Sequence, residues 1–396
     1  MPRLRLLLLL AALTAFGPMS LDLYLPAFPE IARTYGTDTG SVQLTMSACL
    51  LGLGAGQVLW GPISDRYGRR LPLAVGLIIF VFASLLITVA PTFQVLIILR
   101  LVQALGGSAG IVIARACVRD LYSGVELARA MSAIVTVFAL APVVAPLIGS
   151  AILAVAPWQW TFVALAVFGV ACLVGVALMP ETLTAERRSD HGFTGAMRQY
   201  GSIIGSGQFR KTAAIAALGS TALFTYISAS PAVLMDSYGL SEGGFALTFA
   251  GLSLCFALGA QINMRLLKTH RVVVLLRSSV AAQLAASIVV LVAALLSAAL
   301  AWLMIPLVIA LMTVAGVNSN AMALSLDPFP RSAASAAALV GGLQMTMGAL
   351  ASAVFSAMTL RPPVEMGLGM TIAGAVSLSL IGAGLLRGRS HAVSLT

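Results

Sequence analysis

Charge is scarce in this sequence. Acidic and basic residues make up 9% of its 396 positions, hydrophobic residues 60%, and the mean hydropathy is +1.02. A soluble globule covers itself with about 25% charged residues, so that class is excluded. Histidine is nearly missing: His191, His270 and His391 fall in polar connections or the tail, leaving no His–carboxylate pair inside the apolar runs for metal or acid–base chemistry. The four cysteines, Cys49, Cys117, Cys172 and Cys255, have no CxxC spacing and sit in or at the ends of apolar runs, which argues against a disulfide framework or a metal cluster. There is no G-x-x-x-x-G-K-[ST] phosphate loop, and no cofactor is expected. The formal charge of +10 does not point to nucleic acid, because the basic residues form short clusters between apolar runs without interleaved aromatics.

Long apolar runs are what the chain has in abundance. Stretches of about 20 apolar residues, long enough to cross a bilayer, occur near 4–29, 42–63, 71–90, 94–117, 129–153, 158–179, 211–235, 244–264, 272–297, 299–322, 333–357 and 365–386. In lipid no open strand edge survives, so an all-α membrane protein of twelve transmembrane helices is expected. The boundary between the ninth and tenth helices is the weakest, since 297–302 holds neither a charge nor a strong turn signal. Residues 1–15 have the basic start and short apolar core of a secretory signal. The run continues to about Phe28, however, so a retained first helix is expected.

The longest polar stretch, 180–211, splits the helices six and six. The expected organisation is a first half at 1–180, a linker at 181–210 and a second half at 211–396, an arrangement found in several transporters. Of the 23 Lys and Arg residues, 19 fall on the side of the termini and linker. Arg33 and Arg361 fall on the other, and Arg100 and Arg115 lie within the fourth helix. The basic excess predicts that both termini face the cytoplasm.

One acid stands inside the first apolar run. In SLDLYLPAFP at 20–29, Asp22 is the single charge between Leu6 and Phe28, where an ionised carboxylate costs roughly 2.5–3.5 kcal/mol on insertion scales. Two readings stand, a functional carboxyl or one wetted near the membrane boundary. In the fourth helix Arg100 needs a partner or a wet cavity, and it lies about as deep as Asp22 from the same face. The two are expected to pair or nearly pair, against the alternative of two separately hydrated charges. Arg115 lies near the cytoplasmic end of that helix and either snorkels or faces a cavity.

Seven motifs carry a resemblance. GPISDRYGRR at 61–70, between the second and third helices, is similar at nearly every position to the loop signature of the major facilitator superfamily. RLVQALGGSAG at 100–110 resembles the fourth-helix signature of its proton-coupled members, and APVVAPLIGS at 141–150 partly matches the fifth-helix signature of its drug/proton antiporters. With LDLYLPAFP, RDLY at 119–122, SASP at 228–231 and GGLQ at 341–344, the chain resembles the Bcr/CflA-type branch, exporters of bicyclomycin and of chloramphenicol or florfenicol. The resemblance implies the two-lobed fold and proton-coupled efflux of small amphipathic drugs across the cytoplasmic (inner) membrane, worked by a monomer and driven by the proton gradient.

It further implies a latch at Gly61, Asp65, Arg66, Gly68, Arg69 and Arg70 that ties adjacent helices. Glycine at 61 and 68 would permit close approach and a tight turn. Gly106, Gly107 and Gly110 suit close helix approach. Pro142, Pro146 and Gly149 mark the antiporter helix, where the two prolines suggest a bend. Phe16, Met19, Tyr24, Tyr226, Ser228, Asn318 and Gln344 are candidate substrate-lining residues, each equally readable as packing or interhelical hydrogen bonding. A transporter of one metabolite, or a receptor that moves no solute, are the alternatives.

Overall fold

The computed structural model describes residues 3–188, 192–330, 332–358 and 360–382. Among the described residues, twelve helices are long and apolar enough to cross a membrane: Leu4–Tyr35, Thr39–Tyr67, Arg70–Ile87, Phe93–Leu121, Gly124–Leu153, Gln159–Ala177, Gly207–Ser237, Glu242–Leu266, Val272–Leu295, Leu300–Leu326, Ala333–Ser356 and Pro362–Gly382. No strand occurs among the described residues. We call the face bearing the 181–210 segment the linker side and the opposite face the far side.

Helix starts follow ordinary capping chemistry. Asp38 accepts from the Ser41 N–H at 2.8 Å, Thr92 from Val95 at 3.3 Å, and Ser241 from Gly244 at 3.2 Å, each a side-chain oxygen satisfying a first-turn donor. The helices outrun the expected spans where their ends leave the hydrocarbon. The second continues through Tyr67, so most of the supposed 61–70 loop is helical and the true turn is only Gly68–Arg69. An apolar scan measures lipid thickness, whereas backbone hydrogen bonding continues into water.

The first helix is not one rod. It runs Arg3–Thr14, Phe16–Asp22, a 3₁₀ turn at Leu25–Ala27, and Phe28–Tyr35. Proline explains the second break: Pro26 has no N–H to give the Asp22 carbonyl, and Pro29 none to give Leu25. The seventh helix breaks correspondingly, with α-helix to Pro231 and then a π-helical turn at Ala232–Ser237. There the Ile227 carbonyl freed by Pro231 accepts from Ser230 Oγ at 2.8 Å. The ninth-to-tenth turn sits at Ser297, whose φ of 52° is left-handed. Arg361 Nη1 donates to Ser297 Oγ, and Tyr238 Oη donates to the Ala298 carbonyl at 3.0 Å. Distant residues hold this turn, which is why the local sequence does not announce it.

Helices one to six form one bundle and seven to twelve another, joined chiefly along helices two and eleven and along five and eight. Glycine sets the two faces of the second helix. An ideal Cβ on Gly52 would lie 2.3 Å from the Leu101 carbonyl of the fourth helix, and one on Gly54 would lie 3.1 Å from the Gly342 carbonyl of the eleventh. On the far side, Ser352 Oγ of the eleventh helix donates to the Gln43 carbonyl of the second at 3.3 Å. On the linker side, the Gly192–Gly205 helix touches both bundles: Tyr200 Oη donates to the Val58 carbonyl at 3.1 Å, and Gln199 Oε1 accepts from Ser335 at 3.0 Å.

Candidate proton and substrate site

Asp22 ends a helical segment at the break of the first helix and is 2% exposed. Its Oδ1 has no hydrogen-bond partner. The fifth helix closes over the break, where Gly149 packs on the turn after Asp22: an added Cβ would fall 1.9 Å from the Leu23 carbonyl and 3.6 Å from Pro26. Cys49 of the second helix and Tyr226 of the seventh lie within electrostatic range of the carboxyl, so it stands where the two bundles meet. The wetted-boundary alternative does not fit a side chain so fully enclosed.

The expected pairing of Asp22 with Arg100 does not form; no ion pair joins them. Arg100, 0% exposed, is held in another way, with only its Nε left without a partner. Its Nη2 donates to the Ser20 carbonyl at 2.7 Å and its Nη1 to Gln103 Oε1, while Gln103 Nε2 donates to Ser84 Oγ at 2.7 Å. The guanidinium lies 4.1 Å from the Tyr24 ring centroid and 5.4 Å from that of Phe162. Aromatic faces spread over the cation substitute for a carboxylate counter-charge. Arg100 therefore grips the main chain two residues before Asp22 and fixes the broken helix, leaving the acid unpaired. A lysine cannot fork to two acceptors while covering a ring. Arg100→Lys is expected to cost about 1.5–3 kcal/mol, the range for a charged hydrogen bond, read as a lower unfolding temperature of the detergent-purified protein.

The lining candidates separate. Phe16 is core packing, its ring 4.7 Å from those of Phe80 and Phe168. Tyr24 belongs to the arginine clamp, and its hydroxyl hydrogen-bonds Thr45 Oγ1 at 3.0 Å. Aromatic packing in the N-terminal bundle takes up both rings. Met19 is half-buried. Ser228 Oγ donates within its own helix to the Thr225 carbonyl at 3.4 Å. Asn318 Oδ1 accepts from Ser220 at 3.3 Å, and Gln344 Nε2 donates to the Ala216 carbonyl at 3.4 Å, so both tie helices to the seventh. Tyr226 remains: it is buried and stacked on Phe249 at 5.6 Å, and its hydroxyl is unpartnered and within electrostatic range of Asp22.

Buried polar atoms without partners also occur on Ser20, Gln43, Thr225, Gln283 and Ser287. The sequence reading passed over Gln43 and Gln283, although a glutamine inside an apolar run is itself a signal. It also passed over Asn263, whose amide exchanges hydrogen bonds with Asn320 at 2.8 and 3.2 Å and clasps the eighth helix to the tenth.

The latch residues lie on the linker side, all within the N-terminal bundle. Arg69 donates from Nη1 to Asp65 and Ser64, and from Nε to Asp120 Oδ2 at 2.9 Å on the fourth helix. Glu181, absent from the expected set, receives the backbone N–H groups of Arg69 at 2.8 Å and Arg70 at 3.1 Å. Burial opposes its charge, but the N–H groups of Arg69, Leu183, Arg70 and Thr182 outweigh it and hold the Glu181 carboxyl below the usual range. This capping ties the sixth-helix end to the start of the third, and Arg70 Nη2 adds a bond to the Ala177 carbonyl.

Gly68 is required at its position: φ is 87°, and a Cβ would lie 2.7 Å from Glu181 Oε2. Gly61 is not, since nothing lies within 4 Å of its would-be Cβ. Arg66 stands outside the network with its guanidinium 5.5 Å from the Tyr67 ring, because a helical position at the surface turns it away from Asp120. Arg115 is half-buried 5.8 Å from the Phe138 ring and forms no ion pair. Pro142 and Pro146 lie inside a helix assigned without interruption from Gly124 to Leu153.

The family model described as Major Facilitator Superfamily matches residues 8–356. An uncharacterized MFS-type transporter, YdgK, of Bacillus subtilis (strain 168) is 34% identical over 353 residues, 88% of each chain. The Bicyclomycin resistance protein homolog of Haemophilus influenzae is 28% identical over 91% of each chain, and Multidrug resistance protein D of Escherichia coli (strain K12) 30% identical over 93% of each. Among solved structures, a D-xylose-proton symporter superposes with a TM-score of 0.78 at 12% identity over 97% of each chain, a likeness of fold. The chain is a multi-pass membrane transporter rather than an enzyme, and it belongs to the Major Facilitator Superfamily.

Proposed function

We propose that the protein exports small amphipathic drugs across the cytoplasmic membrane in exchange for protons, with both termini and the linker inside the cell. The observation that carries this is Asp22: an enclosed carboxyl with an unpartnered oxygen, at a helix break where the bundles meet. A charge enclosed there without a counter-ion is costly, so the acid takes up a proton from the outer solution before the bundles enclose it. Once the site opens inward, water admits the charge, the proton leaves, and drug competes for the same space. Tyr226 and Phe249 contribute a flat aromatic wall with one hydroxyl, suited to a compact amphipathic molecule. The bicyclomycin resistance relative favours a bicyclomycin-like compound, and the motif resemblance adds chloramphenicol-like ones. The latch around Arg69 keeps the N-terminal bundle one body as it rocks.

The test is a growth-inhibition panel across drug classes in a sensitive host, with and without a protonophore, followed by drug-evoked proton movement in vesicles. Protection against several unrelated drugs that collapses with the protonophore is expected. Protection unaffected by the protonophore, or flux confined to one compound, would remove the reading.

A further inference from the structure

A second enclosed carboxyl lies far from Asp22. At the far-side seam, a cavity of ≈ 180 Å³ is lined by Asp38 and Thr39 of the N-terminal bundle and by Asp236, Ser356, Pro362 and Glu365 of the C-terminal one. Glu365, in the first turn of the twelfth helix, is 5% exposed, and among the described residues it has no ion pair and no side-chain hydrogen-bond partner. Among the described residues, the backbone N–H of Leu360 acts on it.

The surrounding charges do not compensate it. Asp38 of the opposite bundle acts on it with the same sign. Burial opposes the charge on Asp38, but the Ser41 hydroxyl and N–H, at 2.7 and 2.8 Å, hold that carboxyl below the usual range. Asp236 ends the seventh helix on the same cavity. Arg361, the nearest base along the chain, is committed to the ninth-helix end through Ser297 Oγ and the Ala294 and Leu295 carbonyls. Tyr238 is spent on the Ala298 carbonyl, and Arg33 Nε donates to its own helix at Pro29. Glu30 adds a further acid near the end of the first helix. The ninth and eleventh helices bring no charged residue to this end among the described residues.

We infer that Glu365 is a proton-binding site of the far-side gate: the seam closes only when a proton from the far-side solution neutralises this carboxyl between Asp38 of one bundle and Asp236 of the other. Closing brings the exposed carboxylates Asp38 and Asp236 up to the enclosed Glu365, and one proton on a Glu365 oxygen removes the buried charge among them. Opening lets water in, and the proton returns to the solution it came from. The closed form thus holds one more proton than the open form, and its population falls as pH rises. This inference rests on the rocking of the bundles in the proposed function but not on Asp22.

The test is a spin-label distance measurement between Arg33→Cys and Ser237→Cys on the two sides of the seam, in lipid nanodiscs from about pH 5 to about pH 9, a range that brackets carboxyl titration. The short separation is expected to pass from the major to the minor population as pH rises. With Glu365→Gln it stays major throughout, and with Glu365→Asp the pH response returns, which shows that the fold is intact. With Asp22→Asn the response persists although drug-evoked proton release is lost. A Glu365→Gln protein that responds like the parent, a parent with no response, or a response abolished by Asp22→Asn alone overturns the inference. A responsive parent without any drug flux leaves the gate standing and removes the export reading.

Discussion

Asp22→Asn is expected to reduce drug resistance to that of a host lacking the transporter, and to abolish drug-evoked proton release from vesicles. Asparagine keeps the size and one carbonyl oxygen of the side chain but cannot exchange a proton, so the enclosed site at the break of the first helix is filled while the coupling is gone. The scale of the loss follows from the driving force. One entering proton yields ~2.3 kcal/mol per 100 mV and ~1.36 kcal/mol per pH unit. Together these sustain a drug gradient of roughly 500-fold, at ~1.36 kcal/mol per factor of ten. Without coupling the gradient falls toward one. Because the carboxyl is not in an ion pair, its removal strands no cation, and the variant should fold and reach the membrane. Energy-independent counterflow of drug should therefore survive. Full resistance together with drug-evoked proton release in the variant would eliminate Asp22 as the coupling group.

Gly149→Val is expected to be strongly damaging although it removes no charge. The fifth helix approaches the first so closely that even a Cβ would fall 1.9 Å from the Leu23 carbonyl and 3.0 Å from its carbon. Both atoms are backbone at a proline-enforced turn, so neither can rotate away. The fifth helix must withdraw, and the segment carrying Asp22 loses its cover. Overpacking of this kind costs about 1–3 kcal/mol, and the displaced turn should lower transport by more than tenfold. The measurement is unfolding temperature and proton-coupled flux of the purified protein. Gly251→Val, where nothing lies within 4 Å of the added Cβ, is the control expected to change neither. Gly149→Val behaving like Gly251→Val would show that this approach is not required.

These two positions show what could and could not be seen without coordinates. Asp22 was legible because a lone acid in an apolar run is conspicuous. The enclosure of Gly149 against Leu23 was not, since a glycine's letter does not tell which backbone it meets. Arg100 was legible as a buried cation, but its partner was misjudged: the Ser20 carbonyl is main chain and leaves no mark in the sequence. Glu181 escaped for the same reason, acting on the N–H groups of Arg69 and Arg70 from 112 and 111 residues away. The twelve spans were recoverable because lipid thickness imposes a length on each. The breaks in helices one and seven depend on particular prolines, which an average over a window conceals. Glu365 was hidden as an ordinary first-turn acid, until folding placed it across the seam from Asp38.

The glycines of the second helix give it two unlike flanks. On one, Gly52 and Gly56 are wedged against Leu101 and Ser108, so this helix must travel with the fourth as a single piece. On the other, Gly54 meets the Gly342 carbonyl, and the Gln57 and Val58 side chains seat against Gly341 and Gly342, so two teeth of the second helix fit glycine notches in the eleventh. A lobe mounted on such a seam must lift those two side chains out of their notches before it swivels, so resistance in the transport cycle arises along the seam itself.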